Sequence, residues 1–392
     1  MTDVREAGGR YADGVPAPGP SAPSEARSNG CGMVDDVANP AGERSGATGS
    51  GEGRSPVARG QFGALGLHLA DPAVERSVLG LLEAVEGQLR ASVASADPLV
   101  TEASRHLMEA GGKRFRPLLV ALGAQFGDPS AAQVVPAAVV MELTHLATLY
   151  HDDVMDEAAV RRGATSANSR WTNSVAILVG DYLFARAADI AAELGPEAVR
   201  LQARTFARLV HGQIAETVGP RDTDPVAHYL HVIAEKTGSL IATSIRFGGM
   251  FGGASPAHVE ALAGYGETIG VAFQLSDDLL DIASESMQSG KTPGTDLREG
   301  VPTLPVLYAL ASDDADAAGV RLRELLATGP LVDDALHAEA LGLLRESPAL
   351  KRARETVRSY AEDARAQLAP LPPGPSRRAL ESLCDYIADR TS

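Results

Sequence analysis

Apolar residues recur at helical spacing from Asp71 almost to the end of the chain, and helix breakers interrupt them at short intervals. Val74, Val78, Leu79, Leu82 and Val85 form one such stripe, and Leu99 to Ala110 forms a second that Gly111-Gly112 should terminate. The same periodicity predicts helices over roughly 117–126, 131–158, 168–194, 196–218, 225–251 and 256–284. After a break through 285–302, helices are expected near 303–311, 316–328, 333–346, 348–369 and 374–390. Gly195-Pro196, Gly219-Pro220, Pro225 and Ser255-Pro256 fall between helices, where such breakers belong. No period-2 strand is evident. The expectation is one all-α domain over residues 71–392, a large antiparallel bundle with short connections.

Composition narrows the class further. Hydrophobic residues make up 44% of the 392-residue chain but aromatics only 4%, so the helices must pack through small and aliphatic side chains. Residues 1–70 are rich in Gly, Pro, Ser and Ala, lack apolar periodicity, and are expected to be a disordered tail. A net charge of −16 argues against an extended nucleic-acid footprint. Cys31 and Cys384 support neither a disulfide framework nor a thiolate metal site. No amino-terminal signal peptide is apparent. The longest apolar region, Val134 to Tyr150, is broken by Glu142 and His145, which makes it a poor membrane span. A soluble cytoplasmic protein is expected.

Two acidic runs stand out from this background: Asp152-Asp153-Val154-Met155-Asp156 and Asp277-Asp278-Leu279-Leu280-Asp281. On a helix, Asp152 shares a face with Asp156, and Asp277 with Asp281. One such run fits a solvated acidic face. Two runs, each preceded by apolar residues such as Leu149 and Leu275, do not. Carboxylates stacked in a half-buried place repel one another and call for a cation, and oxygen ligands suit Mg²⁺. A basic turn, Gly111-Gly112-Lys113-Arg114-Phe115-Arg116-Pro117, and a second, Arg161-Arg162-Gly163, supply the opposite charge. Glycines permit close backbone approach, Pro suits a helix start, and Lys and Arg there suit phosphate. Both signs together describe a site for two highly charged phosphate groups.

Taken in order with Glu235-Lys236-Thr237-Gly238, Phe273-Gln274-Leu275-Ser276 before the second run, and Gly290-Lys291-Thr292-Pro293-Gly294-Thr295-Asp296-Leu297, these motifs resemble the trans-isoprenyl diphosphate synthases, the polyprenyl synthetase family. The resemblance runs from about residue 72 to the end and implies the isoprenoid synthase bundle with a central apolar cavity. It implies that Asp152, Asp156 and Asp277 bind Mg²⁺, three ions per site, with Asp153, Asp278 and Asp281 as further ligands or supports. It assigns Lys113, Arg116, His145 and Arg162 to isopentenyl diphosphate. It assigns Arg161, Lys236, Thr237, Gln274 and Lys291 to the allylic diphosphate. Chain length in such enzymes is set by bulk just before the first run; Ala147 and Thr148 are small, which favours a long product such as a menaquinone side chain. The resemblance further implies a homodimer pairing through the helices near 131–158 and 168–194, with transient membrane contact for product release. A geranylgeranyl or farnesyl diphosphate synthase is the alternative. A terpene cyclase needs no second diphosphate clamp, and a non-catalytic synthase subunit would lose the aspartates, so both fit less well.

Overall fold

Several helix starts in this chain share one device, a capping residue followed by proline. Asp71 accepts from the Ala73 and Val74 amides at 2.8 and 3.2 Å, and Pro72 opens α1 (Pro72–Ser92). Asp97-Pro98 opens α2 (Pro98–Glu109) in the same way, with a 2.8 Å bond from the Leu99 amide. The computed structural model describes residue 69 and residues 71–283, 293–313 and 315–390. The expected tail therefore lies outside the described residues except for Leu69.

The core is built around α4 (Val134–Met155), which is buried on nearly every side and explains its lack of amphipathic bias. Packed on it are α1, α3 (Phe115–Ala124), α6 (Asn173–Leu194) and α9 (Ser239–Phe251). Next come α7 (Pro196–Val218), α8 (Pro225–Ile233) and the long α10 (Pro256–Ala283). Behind α10 lie α11 (Thr295–Glu299), α12 (Leu304–Leu310), α13 (Ala317–Leu326), α14 (Asp334–Glu346), α15 (Pro348–Gln367) and α16 (Pro375–Asp389). No described helix is long and apolar enough to cross a membrane. The architecture is all-α, as expected.

Three local departures matter. A two-stranded hairpin, β1 (Val160–Arg161) with β2 (Ala164–Thr165), follows α4. Arg162 and Gly163 turn it with φ of 54° and 75°, the left-handed pair that a tight hairpin demands. Strands of two residues are too short to leave an alternating pattern. The helix expected over 168–194 is divided into α5 (Ala167–Arg170) and α6 at Trp171-Thr172, where the Thr172 hydroxyl accepts from the Val175 amide. The helix expected over 225–251 is interrupted by a π turn at Ala234–Gly238, the segment that carries Lys236 and Thr237.

Helices α3 and α9 meet backbone to backbone. A Cβ on Gly248 would stand 2.1 Å from the Val120 carbonyl oxygen, and one on Gly123 would stand 2.4 Å from that of Ile245. Neither neighbour can rotate away, because both are main chain. Gly248→Ala is expected to force the two helices apart at a cost of about 1–3 kcal/mol or more, read as a lowered denaturation midpoint.

Candidate active site

One cavity of about 410 Å³ gathers most of the residues singled out above. Its walls include Lys113, Arg116, His145, Thr148, Asp152, Asp156, Arg161, Arg162, Lys236, Thr237, Gln274 and Asp277. They come from the α3 start, α4, the hairpin, the π turn and α10, so residues more than 160 positions apart share one space.

The basic wall is set by Arg114. It enters α3 with φ 47°, a left-handed conformation uncommon for a side chain of this size. Glu86 and the buried Glu142 hold its guanidinium, the latter at 3.3 Å, and the Met108 carbonyl accepts from it at 2.8 Å. This over-determined anchor fixes the turn and leaves Lys113 and Arg116 on the cavity. The Arg116 Nε is buried without a hydrogen-bond partner, and burial, partly offset by Glu142, lowers its pKa to about 10. Arg162 crosses from the hairpin and donates to the carbonyls of Leu107 and Gly111 at 2.9 and 2.5 Å. Gly112 makes room for it, since a Cβ there would touch its guanidinium carbon at 2.9 Å. His145, enclosed beside Arg116 and Arg162, has its pKa held well below the ordinary histidine value, first by burial and then by those cations. It is neutral at pH 7.

The acidic wall is less uniform than the two runs suggest. Asp152 faces the cavity with its pKa pushed up to about 6, chiefly by burial, with Lys236 opposing and Asp156 adding to the shift. Asp153 points the other way: it is fully buried and bound to Arg161 at 2.5 Å, with its second oxygen unpartnered. Adjacent helix positions diverge by about 100°, so Asp152 and Asp153 cannot share a ligand. Arg161 lines the cavity while tied to Asp153 and, at 3.5 Å, to Asp156. In the second run only Asp277 lines this cavity. Asp278 turns to a neighbouring cleft, accepts from Tyr229 and from the Gln274 amide at 2.9 Å, and has its pKa raised to about 6 by burial. Asp281 accepts from the Thr295 and Asp296 amides at 3.2 and 3.0 Å and so anchors the start of α11. Lys236 pairs with Glu216 at 2.5 Å, and the Thr237 hydroxyl donates to Gln274 at 3.1 Å. Lys291 lies outside the described residues.

An apolar cavity of about 340 Å³ adjoins the first and shares Thr148, Asp152 and Leu209 with it. Phe184 and Phe206, with ring centroids 4.2 Å apart, narrow it. Ala147 lines neither cavity. It is fully buried where α4 meets α6, with its carbonyl oxygen 3.2 Å from where a Cβ on Gly180 would sit. Of the two small residues before the first run, Thr148 lines both cavities, while Ala147 packs against α6. Sequence reasoning also passed over Tyr229 and Arg390 and took Glu142 only as a break in an apolar run, because their partners are too distant along the chain to be read from spacing.

Among the described residues no three His, Cys, Asp or Glu side chains form a ready cation cage. The donors present still fit a hard divalent cation. All are carboxylate oxygens on a cavity wall, the ligand type such a cation prefers.

A deep bundle cavity with carboxylates on one wall and phosphate-type cations on the other defines a diphosphate-handling enzyme of the isoprenoid synthase class. The chain belongs to the polyprenyl synthetase family, whose sequence pattern matches residues 97–339. It is therefore a prenyltransferase. A nonaprenyl diphosphate synthase of Mycobacterium tuberculosis is 53% identical over 83% of this chain and 97% of its own length. Among solved structures, a geranylgeranyl pyrophosphate synthase of Corynebacterium glutamicum, complexed with calcium and isoprenyl diphosphate, superposes with a TM-score of 0.75. It is 46% identical, over 82% of this chain and 98% of that one. A decaprenyl diphosphate synthase of Rhodobacter capsulatus gives a TM-score of 0.73 at 34% identity, over 82% and 99% of the two chains.

Asp152 also predicts a pH effect. Its folded pKa of about 6 exceeds the unfolded value of about 3.9, so the charged form is disfavoured by folding. Asp152→Asn should raise the melting temperature of the metal-free protein above about pH 6. The gain should shrink from about pH 6 to pH 4, as the folded wild type takes up its proton first. Melting curves in a chelator across that range test it.

Proposed function

We propose that the protein adds isopentenyl diphosphate repeatedly to an allylic diphosphate in trans, giving a long-chain polyprenyl diphosphate. The observation that carries the length is the apolar cavity. It starts at Asp152 and Thr148, and two of its lining residues, Ile177 and Ile214, are 42% and 54% exposed. A cavity that reaches the protein surface has no fixed floor to stop elongation. A short-chain synthase would need one. The relatives named for nonaprenyl and decaprenyl products favour the same reading.

In this reading Asp152, Asp156 and Asp277 would hold Mg²⁺, three ions per site, which would supply positive charge to the leaving allylic diphosphate. Arg161, Lys236, Thr237 and Gln274 face that diphosphate, together with Lys291. Lys113, Arg116, His145 and Arg162 hold isopentenyl diphosphate. Asp153, Asp278 and Asp281 act through the side chains and backbone they fix. The allylic carbon loses its bond to the diphosphate oxygen and gains one to the terminal carbon of isopentenyl diphosphate. A proton then leaves for the departed diphosphate. The apolar walls exclude water from the cation between these events.

The product suits a menaquinone side chain, made in the cytoplasm with brief membrane contact at release. A homodimer pairing through the helices near 131–158 and 168–194 completes the proposal. Leu178 on α6 is 66% exposed, an apolar side chain that such a pairing would cover.

Pure protein given Mg²⁺, farnesyl diphosphate and excess isopentenyl diphosphate should yield products well beyond four isoprene units on sizing; a stop at or below four would overturn the long-chain reading. Thr148→Phe should shorten them, because Thr148 stands at the junction of the two cavities. Arg116→Ala should weaken isopentenyl diphosphate by roughly tenfold to a hundredfold, about 1.5–3 kcal/mol, and the allylic primer much less. Initial rates with each substrate varied in turn decide it.

A further inference from the structure

Arg390, at the carboxyl end of α16, reaches back to the second acidic run. Its side chain is 7% exposed, and its Nη2 lies 2.9 Å from Asp277 Oδ1. The same guanidinium donates to the Ser276 hydroxyl at 2.6 Å and to the Phe273 carbonyl at 2.9 Å. It lies 4.7 Å from the Phe273 ring centroid and 5.5 Å from that of Tyr386. Five contacts on one side chain make a built seat, and the charge in that seat is permanent, because a guanidinium does not deprotonate in proteins. Asp277, in contrast, remains 43% exposed on the cavity side.

We propose that Arg390 is the resident counter-ion of Asp277, and that a divalent cation must displace it to take that carboxylate. Arg390 thus positions Asp277 and sets how much metal the protein needs. The inference rests on Asp277 being a metal ligand, as proposed above. Two cations cannot share one carboxylate at full strength, since each loses attraction to the repulsion of the other. The bonds to Ser276 and Phe273 keep Arg390 close when the ion pair opens, ready to reclaim Asp277 when metal leaves.

The test uses the full chain without substrate and Mn²⁺ alone as the probe, with free Mn²⁺ read by electron paramagnetic resonance. Arg390→Gln should bind Mn²⁺ about threefold to tenfold more tightly than wild type, the range expected for removing one competing ion pair. In an Asp277→Asn background the same change should have no effect, because a neutral amide needs no counter-ion. A purely structural role for Arg390 would leave affinity unchanged or weaken it, and either result overturns the proposal. If Asp277 is not a ligand, Asp277→Asn will bind Mn²⁺ as wild type does, and the metal reading falls along with this one. Should Arg390→Gln fail to fold, wild type decides alone: the side-chain Nε–H resonance of Arg390 should shift on adding Mg²⁺ as the ion pair opens, and an unmoved resonance overturns the proposal.

Discussion

Placing charge inside an apolar helix bundle is the constraint on which the rest of this molecule depends. Helix α4 is buried nearly all round, yet it carries Glu142, His145, Asp152 and Asp153. A buried charge left alone costs several kcal/mol, so each must find an answer. Glu142 is answered by Arg114, Asp153 by Arg161, and His145 by staying neutral. Asp152 is answered least. It lies on the cavity wall, with the charges of Lys236 and Arg161 acting on it.

The pairs that are answered do mechanical work for those that are not. Arg114, held by Glu86 and Glu142, fixes a left-handed residue at the head of α3 and so aims Lys113 and Arg116. Asp281 ties the chain after the second run back to α10, and Tyr229 with Gln274 immobilises Asp278. Of six aspartates that look alike in sequence, three are structural clamps and three line the charged cavity. Pre-organisation of this kind lowers the reorganisation needed when charge develops.

Much of this was legible beforehand. Periodicity and capping residues fix helix placement within a few positions, because local backbone physics decides both. The small-residue packing of α3 against α9 also follows from the scarcity of aromatics. The division of labour among the aspartates was not legible, since neighbours on a helix diverge in direction and their partners lie elsewhere in the chain. Arg390 meets Asp277 across 113 positions (390 − 277), and no spacing rule reaches that far. Ala147 and Thr148 look alike in sequence for a related reason, yet Thr148 lines both cavities while Ala147 packs against α6.

The π turn at Ala234–Gly238 gives the two helices it joins a fixed phase offset. One extra residue in a helical rod turns everything beyond it by about 100°. Helix α8 and helix α9 are therefore like two gears set one tooth out of step, each meshing with its own neighbours while Lys236 and Thr237 occupy the slip between them. Excising a single residue there would restore a continuous rod and leave both packing faces intact in composition. It would also make it impossible for Tyr229 to reach Asp278 while α9 keeps its seat on α3, so the bundle could satisfy one half of itself only by abandoning the other.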